Sequence, residues 1–308
     1  MRQPARPLDL SALPTHSIRE RQARLFVEDL AAAPDPSAPA VDLLASMAKV
    51  GSAKRLTETA REVREAARRG RTVVALVGRE VLAAGCSTLA SVMMERGLLS
   101  AVALDGAAAL SDFELACYGQ TDEDPASPHY GAWREVGETF NQIIAEGVSR
   151  GYGLGEFLGR SLLERSPRNV GLSILARGAA KRIPVTVHPR AGADPVQRFA
   201  TADPGSLGKG AQRDFLLLAG QLPSLDGGGI ILDLWAEGLH GVIEQALAAA
   251  SQASSTAPTG WRYVSFYNDG APERLPGAAM SGATVVRLCG EPFLLSLFVV
   301  GALGAGGA

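Results

Sequence analysis

The sequence predicts an α/β protein: a Rossmann-like parallel sheet with helices on both faces, forming a single domain. Three observations carry this. Short apolar runs such as Thr72-Val73-Val74-Ala75-Leu76-Val77 recur along the chain, as strands buried on both faces require. Segments with helical apolar spacing lie between them. Glycines stand where those helices stop, as at Gly70 and Gly97, the position that favours a left-handed residue. Alternating strands and helices make βαβ units and hence parallel pairing.

Taken in order, residues 1–40 read as an irregular arm, rich in Pro, Ala and Ser over 31–40, and residues 41–308 as the α/β domain. Within the arm, Ser17-Ile18-Arg19-Glu20-Arg21 and Phe26-Val27-Glu28-Asp29-Leu30 are suited to docking on a neighbouring surface. Strands are expected at 72–77, 99–104, 183–187, 229–234, 262–267 and 284–288. Pro184 sits near the start of the third, where a missing donor is tolerated. Helices are expected over 41–69, 87–96, 107–118, 130–150, 156–164, 169–182, 211–222, 241–250 and 292–303. Ligands of such sheets bind at the carboxyl ends of the strands, so the loops after Val77, Leu104, Val187 and Leu234 are where function is sought.

Composition narrows the function classes. Hydrophobic residues make up 46% of the 308, enough for a large core. The formal net charge of −2 provides no basic field for nucleic acid or an acidic membrane. Cys86, Cys117 and Cys289 are scattered, which argues for a reducing compartment, and the expected location is cytoplasmic. The first ten residues lack an apolar signal core, and the apolar stretch 293–303 is too short to span a bilayer. Four histidines and three cysteines show no ligand spacing, so no metal is expected, and no Gly-x-Ser-x-Gly elbow occurs.

Three segments carry a family resemblance. Residues 99–113 run from a strand through Asp105-Gly106-Ala107-Ala108-Ala109-Leu110-Ser111-Asp112-Phe113. Lys181-Arg182-Ile183-Pro184-Val185 and Gly229-Ile230-Ile231-Leu232 follow in the same order. Together they resemble the deoxyhypusine synthase family over roughly residues 55–300. There a strand runs gaplessly into Thr-Thr-Ala-Gly-Gly then Glu-Glu-Asp-Phe, and Asn-Ile-Pro-Val begins another. The chain is closer still to a bacterial branch. Arg19-Glu20-Arg21, Arg96-Gly97, Gln120-Thr121-Asp122-Glu123-Asp124, Ser111-Asp112-Phe113-Glu114, His188 and Gly192-Ala193-Asp194 are similar to that branch's motifs. The resemblance implies NAD as a possible cofactor, polyamine chemistry, and a homo-oligomer, a dimer or a tetramer built from dimers.

The family oxidises spermidine with NAD and carries the aminobutyl group on an enzyme lysine near the C-terminus. The lysines here are Lys49, Lys54, Lys181 and Lys209, and Ala271-Pro272-Glu273-Arg274-Leu275-Pro276-Gly277 stands where the catalytic lysine segment belongs. Arginine stays protonated and is no nucleophile. The family's cofactor-recognising acidic pair aligns with Leu110-Ser111, and its Gly-rich turn with residues 233–238, with His240 near the turn's histidine. Ser111, Gln197 and Phe199 stand where the bacterial branch has histidines. The expectation is a catalytically divergent or inactive homologue that binds a small-molecule ligand or a partner. The alternative is an NAD-dependent enzyme of altered chemistry in the same cleft.

The candidates for catalysis are Asp112, His188 and Asp194; those for cofactor binding are Gly78, Gly85, Asp105 and Gly106. Each has a structural alternative. Gly78 with Gly85 either exposes amides to a phosphate or simply turns the chain. Asp105 either borders a pocket or caps the next helix. His188 is a base or a buried, hydrogen-bonded histidine, and Asp194 a pocket acid or a turn former. Trp235 and His240 either line the pocket or pack. Gly227-Gly228-Gly229 precedes a strand and reads as a turn, and Asp122-Glu123-Asp124 as a solvated loop.

Overall fold

The computed structural model describes residues 26–304, apart from 34, 36, 125, 127–132 and 270–279. Most of the arm, with Arg19-Glu20-Arg21, the start of the helix expected from 130, and the segment 271–277 therefore lie outside the described residues.

Two helices lead in, α1 (Ala40–Ser46) and α2 (Gly51–Arg68). Then come β1 (Val73–Val77), α3 (Arg79–Ala83), α4 (Ser87–Glu95), β2 (Ala101–Asp105) and α5 (Gly106–Tyr118). Next are α6 (Arg134–Ser149), α7 (Leu154–Arg165), α8 (Ile174–Lys181) and β3 (Val185–His188). The chain continues through α9 (Pro204–Gln221), β4 (Ile230–Leu234), α10 (His240–Ser254), β5 (Trp261–Tyr267), β6 (Ala283–Cys289) and α11 (Leu294–Leu303). All pairings are parallel, in the order β3-β2-β1-β4-β5-β6. The fold is α/β, as the apolar runs predict.

Strand alternation divides the core. Val73, Ala75 and Val77 face the layer that includes α2, α4, α5, α8 and α11. Val74 and Leu76 face a second layer made largely by α10 and the end of α9, with Trp261 and Tyr263 of β5. Ala103 and Ile231 lie on this second face, and two steps along the same strands lie Asp105 and Asp233. Polar residues at those positions put chemistry on one face at the carboxyl edge.

Two helices depart from expectation. The five-residue α3 fills what reads as a loop between Gly78 and Gly85. Helix α9 begins at Pro204, well before 211, although Gly205, Gly208 and Gly210 weaken the pattern. Asp203 explains the early start: its carboxylate accepts from the Gly205 and Ser206 amides, and Pro204 occupies the first turn. Gly210 lets α9 approach α7, since a Cβ there would lie 2.2 Å from Leu154.

Candidate functional site

The sheet order reverses direction at β1, between β2 and β4, and the crevice above this switch point is where a doubly wound sheet receives a nucleotide. Here the backbone after β4 packs directly against Gly78. The Gly78 amide donates to the Leu234 carbonyl, and the Trp235 carbonyl lies 1.9 Å from where a Gly78 Cβ would stand. Trp235 directs its carbonyl there from φ +50°, a left-handed conformation unusual for a bulky residue. Its ring is held by Nε1 donating to Gly290 O at 3.0 Å and by Phe266, 5.3 Å between centroids. Gly78 is extended and caps only the short α3, while Gly85 (φ +71°) makes the turn from α3 to α4 with open space around it.

Asp105, Gly106, His188 and Asp194 do come together. Asp105 and His188 are partners in the β2–β3 register. Asp105 is buried and caps α5, accepting from Ala108 N at 2.7 Å. Burial raises its pKa to about 6 against that hydrogen bond, with Asp194 and Glu80 adding repulsion and Arg190 opposing it. His188 is 4% exposed, and burial lowers its pKa to about 4, so the ring is neutral. Its Nε2 lies 2.9 Å from the Thr186 hydroxyl, which itself lies within bonding distance of Val102 O. Asp194 closes a turn: Oδ2 accepts from Arg190 N at 2.6 Å and Oδ1 from Arg190 Nη2 at 3.0 Å. That turn rests on the first turn of α5 because Gly106 has no side chain; a Cβ there would lie 2.8 Å from Asp194 Oδ2. Arg190 continues to the Gly238 turn, 3.1 Å from a Cβ placed on that glycine.

These strand ends do not fit a dinucleotide. Oxygen already occupies the close approach that Gly78 offers. Asp105, at the end of β2 where an acid would meet a ribose, is spent on its helix cap and 5% exposed. Glu80, Asp105 and Asp194 would repel a pyrophosphate, and the neighbouring Arg190 is engaged by Asp194.

Asp112 does not join this cluster. Its carboxylate, fully buried, receives Ser173 Oγ at 2.5 Å, Ile174 N at 2.7 Å and Leu175 N at 3.2 Å. It holds the N-terminus of α8, and burial raises its pKa to about 6 despite these bonds.

Sequence reasoning passed over two buried acids. Asp233 Oδ2 accepts from His240 Nε2 at 2.8 Å, Tyr263 OH at 3.0 Å and Ser265 Oγ at 3.2 Å, and Oδ1 from Ala236 N at 2.9 Å. Asp214 of α9 accepts from Val187 N at 2.7 Å and Gly155 N at 2.9 Å. Desolvation raises the Asp214 pKa to about 7. An acid inside the apolar run Ile230-Ile231-Leu232-Asp233-Leu234, and another beside Phe215-Leu216-Leu217-Leu218, were the available signals.

Beside the strand ends, a cavity of about 400 Å³ opens between α5, α6 and the loops after α5 and β3. Its walls include Leu110, Ser111 and the aromatic side chains of Tyr118, Trp133 and Phe199. Glu114, Asp122, Glu123 and Glu135 supply four carboxylates against the two guanidiniums of Arg79 and Arg198, and Arg79 is already paired with Asp122. Burial raises the Glu114 pKa, and Thr121 donates to its Oε2 at 2.7 Å.

No family profile and no curated protein sequence matches the chain. Solved structures do. A candidate deoxyhypusine synthase from Entamoeba histolytica superposes with TM-score 0.54 at 10% identity, covering 88% of this chain and 95% of that one. The fold is deoxyhypusine-synthase-like. A conserved candidate LOR/SDH protein from Methanococcus maripaludis S2 gives TM-score 0.51 at 14% identity, over 87% of this chain and 71% of that one. AgrE, solved with ornithine and NAD+, gives 0.53 at 15%, over 82% of this chain and 34% of AgrE. The chain thus spans about a third of AgrE. At these identities the likeness is one of fold. Among the described residues no helix is long and apolar enough to cross a membrane, and no group of His, Cys, Asp and Glu is arranged to hold a metal ion.

Proposed function

We propose that this chain is a catalytically divergent deoxyhypusine-synthase-like protein that binds a small organic cation beside α5 and carries out no lysine-dependent aminobutyl transfer. The observation that carries this reading is the position of the lysines. Lys181 ends α8 just before β3, at the edge of the sheet opposite the strand ends. Lys54 faces Glu58 on the exposed side of α2, Lys209 is exposed on α9, and the Lys49 amide donates to Asp29 O in the lead-in segment. None lines the cavity. An imine step needs a desolvated amine at the reacting carbon, and these lysines do not supply one.

Aromatic walls and an excess of carboxylates favour an amine with an apolar body, through charge pairing and cation–π contact. Titration calorimetry with spermidine as probe tests this. Saturable binding without NADH formation or aminobutyl transfer is expected; transfer activity overturns the reading.

A second reading has its own observation. Asp233 grips His240 Nε2, the arrangement that orients a histidine base. An NAD-dependent enzyme of altered chemistry would use this pair, but its cofactor would first need the Trp235 carbonyl to leave Gly78. NAD-dependent turnover abolished by His240→Ala would favour it.

A further inference from the structure

The cavity beside α5 offers rings more than open acceptors. Trp133 stands at the start of α6, and the Gly137 amide, one turn on, donates to the Trp133 carbonyl at 3.1 Å. The two positions therefore share a face of the helix. Phe199 packs onto that face, since a Cβ on Gly137 would lie 2.3 Å from its Cδ1. The glycine thus seats the Phe199 ring one helical turn from Trp133. Tyr118 enters from the end of α5, its ring edge-on to Phe113 with 6.4 Å between centroids. All three side chains line the cavity, along with the apolar Ala107, Leu110 and Val136.

The acids of the lining already accept hydrogen bonds from the protein. Glu114 Oε2 receives the Thr121 hydroxyl at 2.7 Å, and Glu123 Oε2 receives Trp133 Nε1 at 2.9 Å. Asp122 receives Arg79, and Glu135 Oε1 receives Arg134 Nη2 at 3.2 Å. The donor on Glu114 is neutral, so that bond leaves the carboxylate's charge in the cavity wall. A primary ammonium brings three N–H donors that need acceptors. A quaternary ammonium brings none, and is drawn instead to ring faces and to negative charge at a distance. Resting on the reading that this cavity takes a small organic cation, we propose that its ligand is a free methylated ammonium compound of the choline type, seated against Trp133, Tyr118 and Phe199. A volume of about 400 Å³ has room for the whole of such a molecule.

Titration calorimetry on the purified full-length chain tests this. The probes are choline, ethanolamine, spermidine and the neutral analogue of choline in which a tert-butyl group replaces trimethylammonium. Ethanolamine lacks only the methyl groups of choline, and the tert-butyl analogue lacks only its charge. Choline is expected to bind about tenfold more tightly than either. Phe199→Leu keeps apolar bulk but removes the ring; it is expected to weaken choline about tenfold and to leave the neutral analogue unchanged. Choline no tighter than ethanolamine overturns the proposal, while spermidine bound in the same series leaves the small-cation reading standing. If none of the three amines binds, both are overturned. Phosphatidylcholine vesicles are expected not to retain the chain; retention competed by choline would overturn a free ligand in favour of a lipid headgroup.

Discussion

A Cβ built on Gly78 would lie 1.9 Å from the carbonyl oxygen of Trp235, so the backbone after β4 packs directly against the end of β1, beside the switch point of the sheet. The missing side chain at 78 serves packing of the protein on itself. Gly78→Ala is therefore expected to force the turn after β4 to move, at a cost of roughly 1–3 kcal/mol in urea unfolding. Gly85→Ala meets open space, and its cost comes from φ alone, about 1 kcal/mol. Equal effects at the two glycines would contradict the packing argument.

Asp112→Ala leaves the Ser173 hydroxyl and the amides of Ile174 and Leu175 without their acceptor in a fully buried place. A loss of roughly 2–4 kcal/mol is expected in urea unfolding, with spermidine affinity unchanged in the folded protein. A selective loss of binding would return Asp112 to the site.

Asp214 makes stability depend on pH. Its folded pKa, about 7, lies above the ordinary carboxylate value, so the folded state holds a proton that the unfolded state has released. Stability from this group is fully present below about pH 4 and is lost as pH rises towards 7, on the order of a few kcal/mol in total. Asp105 and Asp112, near 6, act in the same direction. His188 opposes them: its pKa is lowered to about 4, so its contribution is present above pH 6.5 and lost as pH falls towards 4. Asp214→Asn keeps a carbonyl oxygen for the Val187 and Gly155 amides. Urea midpoints between pH 4.5 and 8 are expected to fall less steeply in this variant than in the wild type. An unchanged slope would contradict the assignment.

Strands β1 to β4 were legible in the sequence because they are buried on both faces. Uninterrupted apolar runs such as 72–77 have no other economical use at that length. The site was legible in part. Asp105, Gly106, His188 and Asp194 meet because strand ends and their loops converge on one edge, which follows from topology alone. Asp112 misled because an acid on a helix after a strand reads alike whether it faces a cleft or another helix. Its partner Ser173 lies 61 residues away. The cavity was out of reach for the same reason, since Leu110, Trp133 and Phe199 come from three separate segments. The left-handed Trp235 also gave no local signal, because glycine is the residue that marks such a position.

Glu114→Gln keeps a carbonyl acceptor for Thr121 while removing a charge from the cavity wall. Spermidine affinity is expected to fall about tenfold, equivalent to about 1.4 kcal/mol, with the thermal midpoint in buffer little changed. Phe199→Ala is expected to weaken the same ligand by removing an aromatic wall. Calorimetry on both variants checks this, and unchanged affinity in both would place the amine elsewhere.

The most direct measurement is the thermal midpoint of the purified chain with NAD at millimolar concentration. A ligand bound only by the native state at ~100 times its dissociation constant adds roughly 2.7 kcal/mol and moves the midpoint by a few degrees. Strand ends closed by Trp235, Arg190 and Asp194 are expected to give no shift with NAD. A reproducible rise of several degrees would contradict the account, because it would mean that the crevice at Gly78 opens to a dinucleotide.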